Sequence, residues 1–139
     1  MDFPPIARVR RTFDQPEEAD VASAVARAVT SSALVGRAPA GGRIAITVGS
    51  RGIAGLPTIV RAAVDSVRSL GFSPFLVAAM GSHGGGTSEG QRALLAELGV
   101  TERSAGCPIL SAMSTVVLGT DGFGLPIHFD RNAFDADGI

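Results

Sequence analysis

The sequence predicts an α/β fold with a mostly parallel sheet, flanking helices and a C-terminal β-hairpin annex. Three observations carry this. The apolar runs Arg43 to Val48 and Pro74 to Ala79 read as buried strands. Between them, Ile59, Val60, Ala63, Val64, Val67 and Leu70 fall on one stripe of a helix over Pro57 to Leu70. Strand, helix and strand within so short a stretch form a right-handed βαβ unit, whose strands are parallel neighbours. Further on, Thr115 to Leu118 and Leu125 to Phe129 flank the turn-forming Gly119-Thr120-Asp121-Gly122-Phe123-Gly124, the pattern of an antiparallel hairpin.

The remaining elements follow in chain order. Ile6 to Arg10 alternates apolar and charged residues, as a half-exposed strand does. Glu17 to Leu34 carries Val21, Val25, Ala28, Val29 and Ala33 at helical spacing, with Glu17, Glu18 and Asp20 suiting a helix N-terminus. Arg37 to Gly42 breaks that pattern as a connector. Pro57 suits a first helical turn, and Gly71 closes that helix. Ser88 to Leu98 is an amphipathic helix, Thr101 to Gly106 a polar connector, and Ile109 to Met113 is ambiguous. His128, between Ile127 and Phe129, points away from their face and is expected at the surface. Asp137-Gly138 reads as a turn feeding a new strand, so the expectation is that residues 1–139 form one domain, or part of one, of a larger protein.

Composition narrows the partners. The chain has 139 residues, 45% hydrophobic and 18% charged, which suits one folded domain. A net charge of −1 and the absence of Trp and Tyr leave neither a basic stripe nor a stacking platform, so nucleic acid is not expected. No run approaches the length of a membrane span and no secretory pattern opens the chain, so a cytoplasmic protein is expected. The single Cys107 has no partner for an internal disulfide and reads as a small buried hydrophobe. All 12 basic residues are arginine, which excludes a Walker-type phosphate loop and any lysine-tethered cofactor on this chain. Asp135 and Asp137 lack the rest of a calcium-loop spacing.

The chemistry-bearing residues cluster on two loops. Gly81-Ser82-His83-Gly84-Gly85-Gly86-Thr87 joins an apolar strand to a helix, the place where open parallel sheets bind ligands. Gly84, Gly85 and Gly86 allow backbone N–H groups to approach a ligand closely, and the helix N-terminus favours a phosphate or carboxylate. Thr87 or Ser88 can cap that helix. His83 is a candidate general acid or base, because an imidazole changes charge near neutrality. The earlier loop, Gly49 to Leu56, leaves the same sheet edge and brings Ser50 and Arg51 toward His83, with Arg51 offering a rigid fork to an anion. Neither serine loop has the G-x-S-x-G elbow of a hydrolase, and the glycine spacing is not that of a dinucleotide fingerprint.

From Arg43 to Ile139 these motifs resemble the N-terminal, Rossmann-like domain of the nickel-dependent lactate racemase family. The family has a Gly-Thr-His-Arg loop with a threonine four residues after the histidine and acids soon after. Here Gly81-Ser82-His83 matches with serine for threonine, Thr87 keeps its place and Glu89 supplies an acid. Ser50-Arg51 is similar to the Thr-Arg end of the family's Ser-Asp-x-Thr-Arg. Val48 stands in place of that aspartate, and Gly84 in place of the arginine after the histidine, so the chain looks closer to a glycine-rich subgroup whose substrate is open. The resemblance implies racemisation or epimerisation of a 2-hydroxy acid by transient hydride transfer to a nickel-pincer nucleotide. His83 would be one of two general bases that remove the hydroxyl proton as hydride leaves the carbon, and Ser50, Arg51, Ser82, Gly84, Gly85, Gly86 and Thr87 would bind substrate or cofactor. The family's second catalytic histidine, tethering lysine and nickel-binding histidine lie beyond the matching segment, in a C-terminal domain that would be this chain's partner. The 139 residues alone are therefore expected to be inactive, with no metal ligands and no tethered cofactor. An alternative from another class is an anion-, phosphate- or nucleotide-binding module without catalysis, and a third is a purely structural α/β domain.

Overall fold

The computed structural model describes residues 7–14, 17–32 and 36–139. Its centre is a three-stranded parallel sheet of β1 (Arg43–Val48), β2 (Ser73–Ala78) and β3 (Ile109–Leu110), in the order β1-β2-β3. β1 and β2 pair from Arg43↔Ser73 to Val48↔Ala78, joined by α2 (Leu56–Ser69) as the βαβ pattern requires. β3 settles the ambiguous Ile109 to Met113 stretch: two residues pair with β2 at Leu76↔Ile109 and Val77↔Leu110, and the rest is loop. Beyond lies the separate antiparallel hairpin of β4 (Thr115–Thr120) and β5 (Pro126–Asp130), with a register shift between Val117 and Gly119. His128 is exposed there and hydrogen-bonds Thr115 Oγ1 through Nδ1 at 3.0 Å.

Alternation along the strands feeds two cores. Val48 and Leu76 face α2 and pack with Val60, Val64 and Leu95. Ala45, Phe75 and Val77 face the other side, against Ala133 and the partly buried Phe129 at the base of the hairpin. Leu95 comes from α3 (Ser88–Glu97), and Ala133 from α5 (Arg131–Phe134). At roughly 1.5–3 kcal/mol per buried aliphatic side chain, these clusters dominate the favourable terms that hold the strands in place.

Three sequence expectations change. α1 spans Val21–Thr30 rather than starting at Glu17, because the Asp20 carboxylate accepts the Ser23 N–H at 3.0 Å and caps the helix there. The expected end of that helix, at Ala33 and Leu34, lies outside the described residues. The strand read over Ile6 to Arg10 does not form: Ile6 is outside the described residues, and 7–14 are exposed without regular structure. A strand needs a ladder partner, and residues 7–14 meet none among the described residues; at the outer edge of β1 the C-terminal segment adds one bridge. There, Ala45 N–H donates to Gly138 O at 2.9 Å, and Ile44 pairs with Gly138 in parallel. Asp137 is committed to the same edge, its carboxylate accepting the Arg43 N–H at 2.7 Å.

The polar connector Thr101 to Gly106 contains a one-turn helix, α4 (Glu102–Ala105), closed by a reciprocal box. Thr101 Oγ1 accepts Ser104 N–H at 3.1 Å, and Ser104 Oγ accepts Thr101 N–H at 2.8 Å. α4 also secures β3. Glu102 Oε1 accepts the Ile109 N–H at 3.0 Å, while Arg92 donates to Ile109 O at 2.6 Å and pairs with Glu102 at 3.3 Å.

The Ile109 N–H, helped by the Arg92 charge, holds the Glu102 carboxyl below its ordinary value of 4.5. A depressed carboxylate pKa stabilises the fold above the unfolded value, and that stability is lost as pH falls through the folded one. Denaturant midpoints should therefore fall below about pH 4.5, and Glu102→Gln should flatten that part of the curve. Parallel curves for the two proteins would show that Glu102 does not couple β3 to pH.

Candidate functional site at the carboxyl edge of the sheet

Because β1 and β2 are parallel and adjacent, the loops that follow Val48 and Ala78 leave the same edge. Ala79 N–H donates to Val48 O at 2.9 Å, carrying the pairing one step past β2. Met80 is buried, and its carbonyl accepts the His83 N–H at 3.2 Å. The chain then makes a tight 3₁₀ turn over His83–Gly86, with Gly84 and Gly85 in the left-handed region at φ 64° and 69°. A continuing helix cannot absorb two such residues, so α3 restarts at Ser88.

Three contacts brace this turn against α3. Thr87 Oγ1 accepts the Gly90 N–H at 3.1 Å and donates to Gly84 O at 3.2 Å. The buried Gln91 donates from Nε2 to Gly81 O at 2.9 Å. Gly84 lies directly against Gly90: a Cβ on Gly84 would sit 2.6 Å from Gln91 N, and one on Gly90 would overlap the Gly84 carbonyl. Ser111, just past β3, donates to Ser88 O at 3.4 Å and brings the third strand's end to the same place.

The candidate residues divide by what their side chains touch. Ser50, half-buried, hydrogen-bonds His83 Nδ1 through Oγ, joining the two loops. His83 is exposed, and among the described residues nothing bonds its Nε2. Arg51 is exposed on the loop after β1, and no carboxylate pairs with it among the described residues. Ser82 is exposed and makes no capping bond. Thr87 has its hydroxyl engaged in capping α3 and holding Gly84, which makes it a support for the turn. Gly85 and Gly86 are open toward space, with nothing within 4 Å of a Cβ on either. The sequence reading missed Gly90 and Gln91. A glycine inside a helix, three residues after a capping threonine, was the available signal.

Chemically, the edge combines an unpaired guanidinium, a serine-held imidazole and the N-terminus of a ten-residue helix with Glu89 in its first turn. Apart from Glu89, these groups favour an anion. Cys107 contributes nothing here: it is buried, and that burial pushes its thiol above the ordinary value. A groove of about 700 Å³ lies elsewhere, along the outer edge of β1, with a mostly aliphatic lining that includes Val29, Ala38, Ile46 and Val67. It lacks converging catalytic groups.

A nickel-pincer nucleotide does not fit this chain's own residues. The sequence has no lysine to tether it, and among the described residues no cluster of three His, Cys, Asp or Glu side chains could hold a metal. No described helix is long and apolar enough to cross a membrane. Among known proteins, no family model, curated protein or solved structure matches the chain.

Proposed function

We propose that the carboxyl edge of the sheet binds a small carboxylate- or phosphate-bearing molecule, and that in a longer protein it works as half the site of a lactate racemase-like isomerase acting on a 2-hydroxy acid. The observation that carries this is the Ser50–His83 hydrogen bond, which fastens a potential base between two loops beside an unpaired arginine. Arg51 takes the carboxylate through paired N–H donors. The glycine turn and the first N–H groups of α3 add to that charge attraction. As one of the two bases such an exchange needs, His83 would take the hydroxyl proton at Nε2 as hydride leaves C2, or give it back as hydride returns, while the opposite face would be served by a base on the C-terminal domain. By resemblance, a nickel-pincer nucleotide held by the C-terminal domain would supply the hydride-accepting chemistry, and the described residues of this chain offer it neither tether nor metal ligands. The proposal extends to a cytoplasmic location, supported by a lone thiol with no internal disulfide partner.

A binding module without catalysis is favoured by a different observation. Exchange at a carbon centre needs a base on each face, and the described residues bring one histidine to this edge. Both readings expect an anion here, and they part on turnover.

Titrating the ¹⁵N-labelled chain with inorganic phosphate and, separately, with L-lactate should move the amides of residues 50–51 and 83–88. Response to both probes supports the racemase reading, and response to phosphate alone favours the binding module. Shifts confined to the β1 groove, or none, would remove the site.

A further inference from the structure

We propose that Ser50 is a positioning residue that fixes the tautomer of His83, and that an anion bound beside Arg51 throws this setting toward the basic form at Nε2. The inference rests on reading His83 as a proton acceptor. A neutral imidazole has one N–H and one lone pair, and the partner of Nδ1 decides which nitrogen keeps which. Here the partner is a hydroxyl, which can serve either way: as donor it leaves the proton on Nε2, and as acceptor it requires the proton on Nδ1. Only the second arrangement gives Nε2 a lone pair with which to take a substrate proton.

Occupancy decides between them. Ser50 Oγ has no partner among the described residues other than His83, so its one hydrogen is available to an anion. Arg51, the next residue, is exposed and unpaired among the described residues, and the anion is proposed to sit between its guanidinium and that hydroxyl. Once the hydroxyl donates to the anion, its oxygen lone pairs face Nδ1, which then must carry the proton. When Nε2 takes a proton, the imidazolium keeps its Nδ1–H bond to Ser50, and loss of that proton restores the starting form. No atom or charge is left over.

The test reads the two ring nitrogens of His83 by ¹⁵N NMR in the 139-residue chain at pH 8.5, with and without saturating inorganic phosphate. A hydrogen bond of this kind shifts a tautomer ratio about two- to tenfold. Phosphate should therefore move the wild-type ratio toward Nδ1–H by that factor. Ser50→Ala should abolish the phosphate effect, and Ser50→Thr, which keeps the hydroxyl, should retain it. A wild-type ratio unmoved by bound phosphate, or the same phosphate response in Ser50→Ala, would overturn the inference. Labelling of Ser50 by a fluorophosphonate would also overturn it, by making the serine a nucleophile with His83 as its base. Because the readout needs no turnover, a protein that shows the phosphate-linked shift yet racemises nothing keeps this inference while sinking the racemase reading.

Discussion

Gly84→Ala will unseat the turn that carries His83 and loosen the start of α3, with a stability loss of about 2–5 kcal/mol. Two costs add. A Cβ in the left-handed region costs about 1–2 kcal/mol at φ 64°. The same atom would also sit 2.6 Å from both Gln91 N and Gly90 O, which are backbone atoms that cannot rotate away. Gly85→Ala separates the two, since its φ of 69° carries the first cost but no atom lies within 4 Å. Denaturant midpoints should therefore fall much further for Gly84→Ala than for Gly85→Ala, with amide shifts over residues 81–91 in the former alone. Equal losses would mean that the Gly84–Gly90 contact does not hold the loop.

That contact also marks the boundary of what the sequence makes legible. The central βαβ unit is readable because its signals are local and agree: β-branched strands, a single apolar stripe from Ile59 to Leu70, and Gly71 at φ 86° to end the helix. The placement of Ser50 and Arg51 near His83 follows from the parallel pairing alone, and Ser50 does reach the imidazole. The hydrogen bond itself is not readable, because it depends on side-chain placement across 33 residues. Nor is the role of Thr87 as a brace, which needs Gly84 O and Gly90 N on either side of it. The strand expected before Arg10 failed for a non-local reason. Its alternation was correct for a strand, but residues 7–14 find no ladder partner among the described residues, while Gly138, far away in sequence, bridges Ile44 at the edge of β1. α4 was hidden because a four-residue turn with one apolar residue, Ala105, carries no periodicity, although Thr101 and Ser104 stand at capping-box spacing.

The central claim is that this edge performs proton chemistry through His83, and interconversion of 2-hydroxy acid enantiomers by the proposed longer protein tests it most directly. His83 is exposed, and its side chain buries little apolar area, so His83→Ala and His83→Asn should leave the thermal midpoint nearly unchanged. A general acid–base group typically contributes about 10²–10⁴-fold, and the rate of enantiomer exchange should fall by that factor in both variants, with the bound anion retained through Arg51. A His83→Ala protein that exchanges enantiomers at the wild-type rate would reduce His83 to a turn residue and contradict the account.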